Sequence, residues 1–245
     1  MKLLIVGGAG YVGQIVCPVI AQEHDCTYFD LQPVSGAEDR TVIADVNDDD
    51  AVKNAVQDCE GVLYMPLGVG REGGESCNQI DPAFDVNVKG LFRFVSFSLH
   101  SGANWFCYVS SMSVYECMHS PHHMSINERV GSDSWGPYGM SKRVGEFLCE
   151  SMWRMFPHTA VLSLRLMLPR NEEDWPKTKK AMNDYPEKYW RSFPLGPEST
   201  RQLFLAALRC KKPGCHIINL TGDAEHKHFD VSLARQLLAW EPQSD

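Results

Sequence analysis

No stretch of this sequence approaches the ~20 consecutive apolar residues needed to cross a membrane, which argues against a membrane-spanning helix. There is no run of Lys or Arg that would track a nucleic-acid backbone, and the formal net charge of -8 opposes one, so no nucleic-acid partner is expected. The nine cysteines include no CxxC pair, and their number is odd. Several sit inside apolar segments such as Trp105 to Val109, which points to free, buried thiols in a reducing cytoplasm. Internal repeats and low-complexity tracts are absent. The first residues do not read as a signal peptide, because glycines follow the opening apolar run at once.

What the sequence does have begins at that run. Leu3 to Val6 leads into Gly7-Gly8-Ala9-Gly10-Tyr11-Val12-Gly13, and apolar residues then recur at Val12, Ile15, Val16, Val19 and Ile20. A buried strand, a glycine-rich turn and a helix are the parts of a dinucleotide site. Glycines let the backbone approach a pyrophosphate, whose charge faces the free N–H groups of the helix start. The glycines can be read as 7, 10 and 13 or as 8, 10 and 13. Pro18 falls inside the helical pattern and should remove one hydrogen bond.

Strands are expected at Cys26–Phe29 (closing on Asp30), Val42–Ala44 (closing on Asp45), Val62–Met65, Trp105–Val109 and Val161–Leu166. Helices are expected at Asp48–Val56, Phe84–Leu99 and Pro137–Trp153, with Pro137 suited to a first turn. This alternation predicts an α/β fold, a doubly wound parallel sheet of the Rossmann type. Residues 1–165 form the dinucleotide-binding core, and 166–245 a small C-terminal substrate lobe. The lobe is closed by a strand at His216–Leu220 and a helix at Val231–Leu238. The stretch Pro169–Pro197, with a short helix near Lys177–Asn183, either grips substrate over the sheet edge or packs on its own aromatics. Trp175 and Trp190 line a pocket or fill that insert.

Asp30, twenty residues past Gly10, can accept both hydroxyls of an adenosine ribose and would repel a 2′-phosphate, which favours NAD over NADP. Asp45-Val46 is placed to meet the adenine edge. In Tyr138-Gly139-Met140-Ser141-Lys142, Tyr138 and Lys142 fall one helical turn apart. A nearby ammonium would favour the phenolate of Tyr138, and Lys142 can also reach the nicotinamide ribose. Ser111, at the end of the fifth strand, could hold the substrate oxygen beside Tyr138. Together these three residues form a proton-transfer and orienting set for hydride chemistry.

The chain resembles the extended short-chain dehydrogenase/reductases, within the NAD-dependent epimerase/dehydratase family. The resemblance rests on GGAGYVG, Asp30, Asp45-Val46, Asn87-Val88-Lys89-Gly90, VSSMSVY at 109–115 and YGMSK at 138–142. It implies Ser111, Tyr138 and Lys142 as catalytic residues and Asn87 as the family's structural asparagine. It also implies a cofactor wall that includes Met65, Pro66, Leu67 and Leu168. Pro66 stands where the family usually carries a small residue. The compact length and the ending Leu237 to Asp245 are similar to those of uronate dehydrogenases, which oxidise the C1 hydroxyl of a free hexuronic acid. Their Asn-His after the serine is replaced here by Met112-Ser113.

A small sugar, sugar acid or polyol is therefore the expected substrate, with Ser111, Met112, Ser113, His122 and Arg191 as its contacts. The alternatives are an epimerase or dehydratase acting on a nucleotide-linked sugar, and a non-catalytic NAD-binding regulator. Cys117, His119, His122 and His123 match no standard zinc spacing, and no metal is expected. Arg165 is expected in a structural pair. The two long helices offer apolar faces for a homodimer contact.

Overall fold

The structure is a computed structural model that describes residues 1–68, 80–116, 126–186, 193–225 and 228–243. Seven strands form one parallel sheet in the order β3-β2-β1-β4-β5-β6-β7. They are β1 (Lys2–Val6), β2 (Asp25–Asp30), β3 (Thr41–Ile43), β4 (Gly61–Tyr64), β5 (Trp105–Ser111), β6 (Ala160–Leu166) and β7 (Gly214–Leu220). The side-chain period of two divides each strand between two cores. In β1, Leu3 and Ile5 face a cluster with Ile15, Val16, Leu203 and Phe204, whereas Leu4 and Val6 face one with Val52, Phe94 and Met152. Burial on both faces is why the inner strands read as unbroken apolar runs.

One face is covered by α1 (Tyr11–Glu23), α7 (Pro197–Arg209) and α8 (Ser232–Leu238), the other by α2 (Asp49–Ala55), α4 (Leu91–His100) and α5 (Pro137–Met155). A short α3 (Ile80–Phe84) and a π-helical turn at Asp85–Gly90 lead into α4, and α6 (Asp174–Asp184) follows β6. The predicted helix at Phe84–Leu99 is therefore interrupted by a π turn. Helix α7 was not anticipated, although Pro197 at its start and Leu203, Phe204, Ala207 and Leu208 on one side carry its signature. Pro18 is tolerated because it lies on the exposed side of α1, as does Gln14, whose carbonyl it leaves without a donor.

Strand order reverses between β1 and β4, so the loops leaving these two strands diverge and open a crevice at their carboxyl ends. In open α/β sheets this switch point is where ligands bind. The glycine-rich loop and residues 65–68 border it here. A third, smaller apolar cluster (Met112, Val114, Tyr115, Ile126, Met167 and Phe229) packs beyond the ends of β5 and β6.

Candidate active site

The glycine-rich turn is built as the spacing suggested, and both readings of it have a physical basis. Gly7 has φ +84° and faces Pro66, whose nitrogen would stand 2.9 Å from a Cβ on Gly7. A Cβ on Gly13 would lie 2.2 Å from the Gly8 carbonyl oxygen, and one on Gly8 would lie 2.9 Å from the Tyr28 ring. Gly10 caps α1 without a side-chain hydrogen bond, and no acidic residue occupies the first turn. The N–H groups of Tyr11, Val12 and Gly13 thus point, uncapped, at the crevice and suit a pyrophosphate.

Asp30 ends β2 beside this loop. Its Oδ2 accepts the Ala9 N–H at 2.9 Å, so it also fastens the loop. Asp45 accepts the Asn47 N–H at 2.8 Å in a local turn, while Val46 packs against Gly90 and Tyr64. On the opposite wall Met65 is buried, Pro66 faces Gly7, and Leu67 is exposed. Asn87 sits fully buried in the π turn. Its Nδ2 donates to the Leu67 carbonyl at 3.0 Å and to Ser141 Oγ at 3.1 Å, and Ser141 Oγ donates to the Tyr138 carbonyl at 2.8 Å. Asn87 therefore ties the loop after β4 to the first turn of α5. Leu168, just past β6, adopts φ +42°, a strained conformation for a non-glycine residue, and is exposed.

Ser111, Tyr138 and Lys142 converge. Ser111 Oγ accepts the Ser113 N–H at 3.1 Å and donates to Ser113 Oγ at 3.1 Å, and its nearness to Tyr138 favours loss of the phenol proton. Lys142 is only 1 % exposed, with Nζ donating to the carbonyls of Val109 at 3.0 Å and Pro66 at 3.3 Å. Nζ lies 5.6 Å from the centre of the Tyr138 ring and 4.9 Å from that of Tyr108.

Here the electrostatics differ from expectation. Burial pushes the Tyr138 phenol up to about 12, with only partial relief from the Ser111 hydrogen bond. Burial pushes the Lys142 ammonium down to about 7, partly offset by Glu146. Desolvation is the leading influence on both groups and acts against both charged forms.

Met112 is buried in the third cluster, whereas Ser113 is exposed at the site. His122 and Arg191 lie outside the described residues, as do Cys117, His119, His123 and Trp190. Two features escaped sequence reasoning. The Tyr11 hydroxyl donates to Asp174 Oδ2 at 2.9 Å and accepts the Asn171 N–H at 3.0 Å, which latches the segment after β6 onto the glycine-rich turn. The other is the buried partner of Arg165, which is Glu146. Arg165 does form the structural pair expected of it.

The family model described as the NAD dependent epimerase/dehydratase family matches residues 3–173. The chain belongs to this family. Its cofactor is NAD, and the residues that fit it are the uncapped start of α1, the glycine cradle and Asp30. Among this member's relatives, an L-arabinose 1-dehydrogenase (NAD(P)(+)) of Haloferax volcanii is 22% identical over 257 residues, covering 100% of this chain and 97% of the relative. A short-chain dehydrogenase/reductase superfamily protein from Agrobacterium tumefaciens, solved with bound NAD, superposes with TM-score 0.80 at 17% identity, covering 100% of this chain and 93% of that one. A glucuronic acid dehydrogenase from Chromohalobacter salexigens gives TM-score 0.78 at 23% identity, with 100% and 85% covered. Among the described residues of this family member, no helix is long and apolar enough to cross a membrane, and no group of His, Cys, Asp or Glu could hold a metal ion.

Proposed function

We propose that the protein is an NAD-dependent dehydrogenase that oxidises a hydroxyl of a small sugar, sugar acid or polyol. The observation that carries this reading is the convergence of Ser111, Tyr138 and Lys142 at the carboxyl edge of the sheet, across the crevice from the uncapped start of α1. NAD, when bound, supplies the hydride acceptor. Ser111 orients the reacting oxygen, and the Tyr138 hydroxyl exchanges its proton. Lys142, seated against Val109 and Pro66, holds a titratable amine one helical turn behind it. The phenol must lose its proton before it can take one from substrate, and an oxidised cofactor, when bound, would favour that loss.

A small sugar is favoured because the similarity to the L-arabinose 1-dehydrogenase runs through nearly the whole of both chains. Residues 1–165 then serve as the dinucleotide-binding core, and 166–245 grip substrate and close the sheet. Ser113, the neighbour of Ser111, is the further contact reachable from solvent. Free aldoses, uronic acids and polyols screened for NAD reduction test the reading. A hit among the aldoses or uronic acids is expected, and reduction of NAD by none of them contradicts it.

An epimerase or dehydratase that recycles its NAD in place is the second reading. The latch from Tyr11 to Asn171 and Asp174 favours it, because an arm fastened over the pyrophosphate end would slow cofactor exchange. NAD that survives extensive dialysis of the wild type, but not of Tyr11→Phe, supports retention. Prompt loss from both speaks for the dehydrogenase.

The seven described cysteines are all free, in keeping with work in a reducing cytoplasm. The exposed apolar residues of α4 and α5 suit a homodimer. Phe92 and Leu148 line an open groove between the helices, and Phe147 is 66% exposed.

A further inference from the structure

One helical turn past Lys142, α5 carries a second buried charge. Glu146 Oε1 accepts the Ser110 hydroxyl at 2.7 Å and Arg165 Nε at 2.7 Å, while its Oε2 accepts Arg165 Nη2 at 2.7 Å. Ser110 and Arg165 are direct neighbours across the β5–β6 ladder. Ser110 is flanked by Val109, whose carbonyl receives Lys142 Nζ, and by Ser111. A single carboxylate thus joins the three elements that converge on the active site. It sets how far α5, with Tyr138 and Lys142, stands along β5 relative to Ser111.

The groups facing Lys142 can be named. From α5 they are Tyr138 and Glu146, from β5 Tyr108 and the Val109 carbonyl, and from the loop after β4 the Pro66 carbonyl. Of these, Glu146 is the carboxylate. Its charge is shared with Arg165, which also donates to the Tyr115 hydroxyl and lies 3.5 Å from Asn219 Oδ1. A buried ion pair adds little to stability over an apolar pair of the same shape, so bracing alone is a poor reason for one here.

We propose that the Glu146–Arg165 pair is the charge-setting and positioning unit of Lys142: Glu146 supports the ammonium from within α5, and Arg165 withholds part of that support. Lys142 can then hold either protonation state without leaving its seat against Val109 and Pro66. The proposal rests on the reading of Lys142 as part of the active site, and its test can fail independently of that reading.

The titration of the Lys142 amine is followed by NMR on cofactor-free protein carrying isotope-labelled lysine, with the signal assigned through Lys142→Met. Glu146→Gln keeps the side-chain shape and removes the charge, and the titration should move toward acid by roughly one pH unit. Arg165→Gln frees the carboxylate and should move it toward alkali. If Arg165 left alone prevents Glu146→Gln from folding, the double variant Glu146→Gln/Arg165→Met removes both charges. Its Lys142 must then titrate below the wild type. An unmoved titration in a folded Glu146 variant overturns the proposal, as does movement of the same sign in Glu146→Gln and Arg165→Gln. If the titrations move as stated while the pH profile of substrate-dependent NAD reduction stays put, the pair's role stands and the catalytic reading of Lys142 falls.

Discussion

Replacing Lys142 by Met should change how stability depends on pH, in a direction the structure dictates. An unfolded chain keeps its lysines protonated up to the ordinary 10.5, whereas burial lets folded Lys142 lose its proton at about 7. Between those values the unfolded state binds one proton more, so raising the pH favours the folded state. Below pH 7 both states are protonated, and the fold bears the whole cost of a buried ammonium. At about 1.4 kcal/mol per pH unit, the gap from 10.5 to about 7 sets an upper limit of ~5 kcal/mol on that cost. Methionine fills similar space and does not titrate. It leaves the carbonyls of Val109 and Pro66 without a donor, a loss that does not vary with pH. The stability of the wild type relative to Lys142→Met should therefore climb by ~2 kcal/mol between pH 7 and 9, or about 4–8 °C in Tm for a chain of this size. Taking the difference between the two proteins cancels the cysteines, which in the unfolded chain titrate over this same pH range, and the tyrosines, which titrate above it. Urea unfolding of the cofactor-free proteins at several pH values measures it. A difference that stays flat, or falls with pH, refutes the assignment of a buried, readily deprotonated amine.

Three other outcomes follow from the same geometry. Gly13→Ala forces a Cβ to within 2.2 Å of the Gly8 carbonyl oxygen, so it should cost ~1–3 kcal/mol of stability and weaken NAD binding at least about tenfold. Gly131→Ala, where a Cβ meets nothing within 4 Å, should change neither, both quantities being measured by scanning and titration calorimetry on the two variants. Fluorescence titration should show wild type binding NAD more tightly than NADP and Asp30→Ala losing that preference along with the Ala9 anchor; equal or tighter NADP binding by the wild type contradicts the role of Asp30. Sedimentation should show a dimer that Phe92→Glu converts to monomer, and a wild-type monomer removes the case for pairing through α4 and α5.

The parts of the site that depend on neighbours in sequence were legible without coordinates. The glycine-rich turn, the strand ends at Asp30 and Ser111, and the Tyr138–Lys142 spacing are local patterns of at most seven residues, Gly7 to Gly13 being the longest. Helix α7 is hard to read from sequence because its Gly196-Pro197 start directly follows a proline- and tryptophan-rich stretch whose own apolar pattern is irregular. The π turn at Asn87 was illegible for another reason. One extra residue in a turn leaves the apolar pattern of a long helix almost unchanged, and only the buried Asn87 contacts to Leu67 and Ser141 show why it is there. The Tyr11 latch and the Glu146–Arg165 pair join residues far apart in the chain, which periodicity cannot relate. Burial also acts against the charged forms of Tyr138 and Lys142, and the depth of a pocket is not written in residue spacing.

The proposed reaction stands or falls on Tyr138, which exchanges the proton of the reacting oxygen. Tyr138→Phe keeps the ring and removes only the hydroxyl, and both NAD affinity and steady-state rate should be measured on the same preparations with a substrate found in the NAD-reduction screen. NAD affinity should stay within about twofold of wild type while turnover falls by ~10²-fold or more, the usual scale for losing acid–base catalysis. An undiminished rate in Tyr138→Phe contradicts the account, whatever becomes of the fold and the cofactor.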